Sequence, residues 1–208
     1  MSRRFRALTT GRVDDLPSEC ACCALWERGS ERFACGSSGA RDDLIDWIRT
    51  VQAQWGDCGR VAYEEGISLG FVKYAPPRFF PQVTRMPVPP DDDAVLIACL
   101  QVEAGLQEAG LGKVLIQAAL RELVSRGERT VEAYAAAGPA DHERPPLMTV
   151  EFLLRQGFSV SRPHPRYPLM RLELRTLVAW TDSIESVLDA LQLPIGVRER
   201  APASLAKP

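Results

Sequence analysis

Residues 100–113 read Leu-Gln-Val-Glu-Ala-Gly-Leu-Gln-Glu-Ala-Gly-Leu-Gly-Lys, and the pattern changes across them. Ahead of them, Ala94 to Val102 is a nearly continuous apolar run of the kind carried by a strand buried on both faces. Behind them, Ile116, Ala119, Leu120 and Leu123 recur at helical spacing, with Lys113, Gln117, Arg121 and Ser125 on the wet side. A helix is therefore expected from about Leu111 to Arg126, closed by Gly127. The stretch is a buried strand, a short turn and a helix N-terminus in succession. Gly110 and Gly112 let the backbone reach positive φ and come close to a ligand. The first amides of a helix are unpaired donors and its dipole favours negative charge there, so the turn suits a pyrophosphate. The full Gly-x-Gly-x-x-Gly of a dinucleotide fold is absent, and the turn comes mid-chain rather than after a first strand.

Working outward, Leu44, Trp47, Ile48, Val51 and Trp55 make one apolar face of a helix from Asp42 to Trp55. Strands are expected at Arg60–Tyr63 and Ile67–Ala75, turned by Glu65-Gly66 and stopped by Pro76-Pro77. A proline-rich connection follows to Asp93, long enough to wall a site or to serve as an irregular crossover. Further on come a strand at Thr130–Ala135, a helix at Pro146–Gln156, and strands at Phe158–Ser161 and Leu169–Arg175. A last helix has Asp182 and Glu185 in capping-box positions, with Ile184, Val187, Leu188 and Leu191 on one face. The order implies an α/β fold with a mixed sheet and a parallel pair at its centre. Residues 1–38 read as an N-terminal, cysteine-containing extension, 39–176 as the domain, and 177–208 as a C-terminal helix and tail.

The order and spacing resemble the GNAT acetyltransferase superfamily. Gln107, Gly110 and Gly112 match its Gln/Arg-x-x-Gly-x-Gly/Ala loop, and Leu100-Gln101-Val102 match its strand end. Phe152-Leu153-Leu154-Arg155-Gln156-Gly157-Phe158 matches its helix ending in Gly-Phe, and the resemblance covers roughly residues 40 to 175. It implies an acyl-CoA-binding fold with acetyl-CoA as cosubstrate. The main chain of Leu100, Gln101 and Val102 would pair with pantetheine. The amides of Gln107, Glu108, Ala109, Gly110, Leu111, Gly112 and Lys113 would hold the pyrophosphate. The implied reaction is direct attack by a primary amine, of a small molecule or a protein; the alternative is a non-catalytic acyl-CoA sensor or partner-binding module on the same fold.

Acetyl transfer needs a neutral amine, a polarised carbonyl and a proton for the thiolate. The resemblance places the acid at a tyrosine where this chain has Leu153, so water carries the proton or Tyr134 or Tyr74 substitutes as acid; the other reading of each tyrosine is a packed aromatic. Glu132, a carboxylate on a central strand, is the first candidate base, ahead of Glu103 and Asp93; the other reading is a solvated strand residue. His142 and His164 sit in proline-rich loops and read as surface residues.

Cys20-x-x-Cys23 has metal-ligand spacing, and Cys35 and Cys58 would complete a set of four, but no second Cys-x-x-Cys or His pair exists. Small, buried, reduced residues are the alternative reading, with a redox-active pair behind both, so a structural zinc is not assigned. The segment from Cys20 to Glu27 also looks like the N-terminal part of an uncharacterised bacterial GNAT subgroup.

The rest of the chain is neutral on partners. Its net charge of -2 points to neither nucleic acid nor an anionic membrane, and no run is apolar enough to span a bilayer. The basic start, Arg3-Arg4-Phe5-Arg6, is followed by no hydrophobic stretch and so is not a secretory signal. A cytoplasmic location is expected, and a homodimer is left open.

Overall fold

The computed structural model describes residues 3–29, 38–103, 110–138 and 147–174. The chain divides into two compact units, Met1–Arg175 and Thr176–Pro208, and every described residue belongs to the first. The last helix expected from the sequence lies outside the described residues.

The described strands are β1 (Arg3–Ala7), β2 (Gly59–Glu64), β3 (Ile67–Ala75), β4 (Val95–Val102), β5 (Thr130–Ala136), β6 (Met148–Thr149), β7 (Ser159–Arg162) and β8 (Leu169–Glu173). The α-helices are α1 (Ser18–Ala21), α2 (Leu25–Arg28), α3 (Ala40–Gln54), α4 (Leu111–Ser125) and α5 (Val150–Arg155). The sheet runs β1-β2-β3-β4-β5-β8-β7, and β6 pairs with β5. Neighbours along the sheet are antiparallel except β4 and β5, which are parallel and joined through α4. The central parallel pair expected from the sequence is therefore present.

Alternation sorts the side chains of the sheet onto two faces. Phe71 and Ala75 of β3 and Ala98 of β4 join a core with Trp47, Ile48 and Val51 of α3. The opposite face carries α4, which packs on β2, β3 and β4. A Cβ at Gly70 would stand 2.5 Å from the Gln101 carbonyl oxygen and 3.3 Å from Leu115 of α4. Only glycine lets β3 and β4 approach this closely at the end of β4.

Two sequence expectations need correction. Residues 3–29 are no appendage: β1 is the edge strand of the sheet, and Leu8, Val13, Leu16 and Trp26 are buried in the α3-side core. Their elements are too short to show a period, so the burial arises from tertiary packing rather than from a local pattern. The helix expected at 146–156 begins only at Val150, because Met148 and Thr149 are drawn into pairing with β5 and the Thr149 hydroxyl then accepts from the Phe152 amide as the N-cap.

The 76–93 connection is anchored rather than loose. It makes 3-10 turns at Pro77–Phe79 and Pro81–Arg85. The Trp47 indole donates to the Phe79 carbonyl at 2.7 Å, and its ring stacks on Phe80 at 5.2 Å.

Candidate functional site

The ladder between β4 and β5 is short. Val95 pairs with Val131 and Leu96 with Glu132, and the pairing then stops. On its other side β4 stays bonded to β3 as far as Val102, with a bulge of one extra residue, Ala98, between the Lys73 and Tyr74 partners. Bulges bend a strand and end pairing. The two parallel strands thus part beyond Leu96, and the β5-side main chain of Ile97–Val102 has no strand partner among the described residues.

The two-residue β6 marks the far wall of the gap. The Ala135 and Ala137 amides donate to the Pro168 and Arg166 carbonyls, so that edge of β5 is occupied on the β8 side. The pairing of Ala135 with Met148 and Ala136 with Thr149 therefore falls on the side that β4 has left. The result is a cleft of about 310 Å³. Leu100, Gln101 and Val102 form one wall, Leu147, Met148, Thr149 and Phe152 the other, and Gly112 of α4 the floor. Gly110 caps α4 at φ 73°, a left-handed conformation that favours glycine. The first hydrogen bond onto the cap is from the Val114 amide, at 3.3 Å. The Leu111, Gly112 and Lys113 amides come before that bond, as helix N-terminal amides do. The cleft therefore combines a bare strand edge, for hydrogen bonding an amide-bearing chain, with a helix N-terminus, for an anion.

Of the sequence candidates, Leu100, Gln101, Val102 and Gly112 line this cleft, and Gly110, Leu111 and Lys113 are on the adjoining helix start. Gln107, Glu108 and Ala109 lie outside the described residues, as do Cys35 and His142. Glu103 is exposed at the end of β4 and gives its amide to the Leu69 carbonyl.

Glu132 and Tyr134 lie elsewhere on the sheet. The Tyr134 ring stacks on Trp26 at 6.0 Å, and its hydroxyl donates to the Val88 carbonyl at 2.6 Å. Glu132 is fully buried where β4 and β5 are still paired. Leu100 is four residues further along β4, about 13 Å at the usual strand rise. One Glu132 oxygen accepts from the Asp91 amide at 2.9 Å, and the other is 3.4 Å from an Arg171 guanidinium nitrogen. Asp91 also binds Arg162 and Arg171, and Arg171 reaches Glu173 at 2.7 Å. The Asp91 and Val88 contacts hold the 76–93 connection against the sheet. Tyr74 is buried on the α4 face with its hydroxyl unpartnered. Leu153 is fully buried and offers no proton.

Burial raises the Glu132 carboxyl above its ordinary 4.5; the Asp91 amide and Arg171 oppose this, and the Asp91 charge adds to it. The folded chain thus holds this proton more tightly than the unfolded chain does. Its contribution is present in full below about pH 4.5 and is lost as pH rises through the folded value. Glu132→Gln keeps an acceptor for the Asp91 amide and removes the titration. The expected result is that the melting temperature of the variant gains on wild type as pH is raised from about 4 to about 7. A gap moving in favour of wild type would mean that Arg171 outweighs burial.

Sequence reading missed the acidic–basic cluster around Asp91 and a buried ion pair, Lys73–Glu27, whose side chains are 6% and 2% exposed. Both join residues more than 40 positions apart, and a single sequence does not signal such pairing. Among the described residues no group of three or more His, Cys, Asp or Glu side chains is placed to hold a metal ion. No helix among them is long and apolar enough to cross a membrane.

No family model matches the chain, and no curated protein matches it in sequence. Solved structures do match in fold. A PaiA N-acetyltransferase from Thermoplasma acidophilum, solved in complex with coenzyme A, aligns with TM-score 0.54 at 14% identity over 83% of this chain and 99% of its own. An N-acetyltransferase from Staphylococcus aureus Mu50 aligns with TM-score 0.55 at 17% identity, over 84% and 99%. The loading GNATL domain of CurA from Lyngbya majuscula aligns with TM-score 0.55 at 14% identity, over 85% and 100%.

Proposed function

The chain has the GNAT fold, and from its cleft we propose that it is an N-acetyltransferase, moving an acetyl group from acetyl-CoA to a primary amine. The observation that carries this reading is the parting of β4 from β5 beyond Leu96, which leaves a bare strand edge leading to the start of α4. The Leu100–Val102 main chain suits the amides of a pantetheine arm. The Leu111–Lys113 amides and the helix dipole suit its pyrophosphate. Gly112 forms the floor between Leu100 and Phe152, where the arm would pass.

In this reading a neutral amine attacks the thioester carbonyl, whose developing charge is met by a main-chain amide of the β4 edge. The amine then loses its proton as the coenzyme thiolate leaves. Glu132 and Tyr134 are the acid–base candidates of the sequence. Their partners, and the place of Glu132 at the closed end of the strand pair, support a positioning role: they hold the 76–93 connection down on the sheet. Water then carries the protons. A non-catalytic acyl-CoA-binding module is the second reading, favoured by one observation, the buried Leu153.

Calorimetric titration with acetyl-CoA, run beside a thiol-release assay over small amines and peptide amines, separates the two. Binding with release on any amine supports the enzyme and gives its acceptor class. Binding with no release on any amine supports the module, and no binding sinks both.

A further inference from the structure

Behind β4, on the face away from α4, lies a second and smaller cavity of about 80 Å³. Cys20, Cys23 and Cys99 all contribute to its lining, beside Trp26 and Lys73. Three thiols at one apolar cavity are not needed for acyl transfer, and the site described above uses none of them. We propose that Cys20 and Cys23 form a redox-responsive dithiol that closes reversibly to an intrachain disulfide in the wall of this cavity.

The backbone brings the two residues together. The Cys23 amide donates to the Cys20 carbonyl at 3.1 Å, a tight turn in which the first and fourth Cα atoms approach within about 7 Å. A disulfide spans Cα atoms roughly 4.4–6.8 Å apart, so the turn already holds the pair near bonding range. Both residues are thiols here, both are half-buried, and both contribute to one cavity.

Among the described residues the other pairings are worse. Cys22 and Cys23 are adjacent, with Cα atoms about 3.8 Å apart across a trans peptide, too close for a relaxed bridge. Cys22 does not line the cavity. Cys58 is fully buried, and burial pushes its thiol up to about 12. Cys99 lines the cavity, but desolvation pushes its thiol up to about 11 against the pull of Lys73, so it stays protonated and a poor nucleophile near neutral pH.

The chemistry balances with a peroxide as oxidant. One thiolate attacks a peroxide oxygen, giving a sulfenic acid and hydroxide. The second thiolate attacks that sulfur and displaces hydroxide, forming the S–S bond. Two thiols and one hydrogen peroxide become one disulfide and two waters, and a dithiol reductant reverses it.

The test needs neither coenzyme nor amine, so its outcome is independent of the acyltransfer reading. The purified full chain is treated with stoichiometric hydrogen peroxide, blocked with iodoacetamide under denaturing conditions, and digested with trypsin. The peptide Val13–Arg28 carries Cys20, Cys22 and Cys23 together. It is expected to lose two hydrogens and to gain a single alkyl group, on Cys22, and prior reduction should restore three alkyl groups. Cys20→Ser and Cys23→Ser should each abolish the bridge, whereas Cys22→Ser and Cys99→Ser should keep it. Mapping of the wild-type chain stands alone if a serine variant fails to fold. Separate sulfinic acids, intermolecular dimers, or a bridge that includes Cys22 or Cys99 would overturn the proposal.

Discussion

Gly112→Trp is expected to abolish the rise in melting temperature that acetyl-CoA gives the wild-type chain. A Cβ built on Gly112 meets Leu100 Cδ2 and two Phe152 ring carbons at 3.6 Å, which is ordinary contact. Alanine therefore fits, and Gly112→Ala should keep the ligand response. An indole has nowhere to go but across the cleft between those two side chains, where the proposal seats the pantetheine arm. Adding a bulky residue at Gly110 forces a side chain into a left-handed conformation at φ 73°, at a cost of about 1 kcal/mol or more, and misdirects the first amides of α4. With ligand at about one hundred times its dissociation constant, binding stabilises the native state by about 2.7 kcal/mol. In a domain of this size that is a rise of roughly 5–10 °C. The double variant should show none of it, while its unliganded melt stays cooperative. A wild-type-sized rise in Gly112→Trp would place the coenzyme elsewhere and remove the basis of the proposed function.

The cleft was legible where its chemistry is local. A glycine-flanked turn between an apolar run and a helical stripe is a pattern in consecutive residues, and Leu100–Val102 and Gly112 do line the opening. What a linear pattern leaves out is the parting of the strands. The bulge at Ala98 sits within an unbroken apolar run and has no residue signature there. The same limit applies to Glu132. The sequence shows a carboxylate on a central strand, which is unusual unless exposed or used. Its surroundings (the Asp91 amide and Arg171) come from segments about 40 residues away on either side. The N-terminal segment was the hardest to read. Its helices α1 and α2 are four residues each, shorter than the window that reveals a period, yet Trp26 enters the core between Phe80 and Tyr134.

That segment is tied to the sheet by Lys73 and Glu27, and breaking this pair should have the largest effect on stability. Glu27 is on α2 and Lys73 on β3, and the ammonium also lies 5.4 Å over the Trp47 ring. Lys73→Met leaves a carboxylate in the core with no cation, and one of its oxygens already has no hydrogen-bond partner. Removing one member of a buried pair costs about 3–5 kcal/mol, because the other charge stays desolvated. Glu27→Met should do the same to the ammonium, and each single variant should melt roughly 6–20 °C below wild type. The double variant, Lys73→Met with Glu27→Met, removes both charges and both desolvation costs. It is expected to recover most of the loss, or to exceed wild type, since apolar replacement of a buried pair is often neutral or stabilising. The pH dependence gives an independent check. Burial works against the Lys73 ammonium, but Glu27 leads the charges that outweigh it, and the net shift is above the ordinary 10.5. A raised lysine contributes in full below its unfolded value and loses that contribution as pH climbs through the folded one. Wild type should therefore fall toward the double variant only above about pH 10.5. Single losses that merely add in the double variant would mean that the two charges do not stabilise each other. The N-terminal segment would then be held by Trp26 and the leucines around it alone.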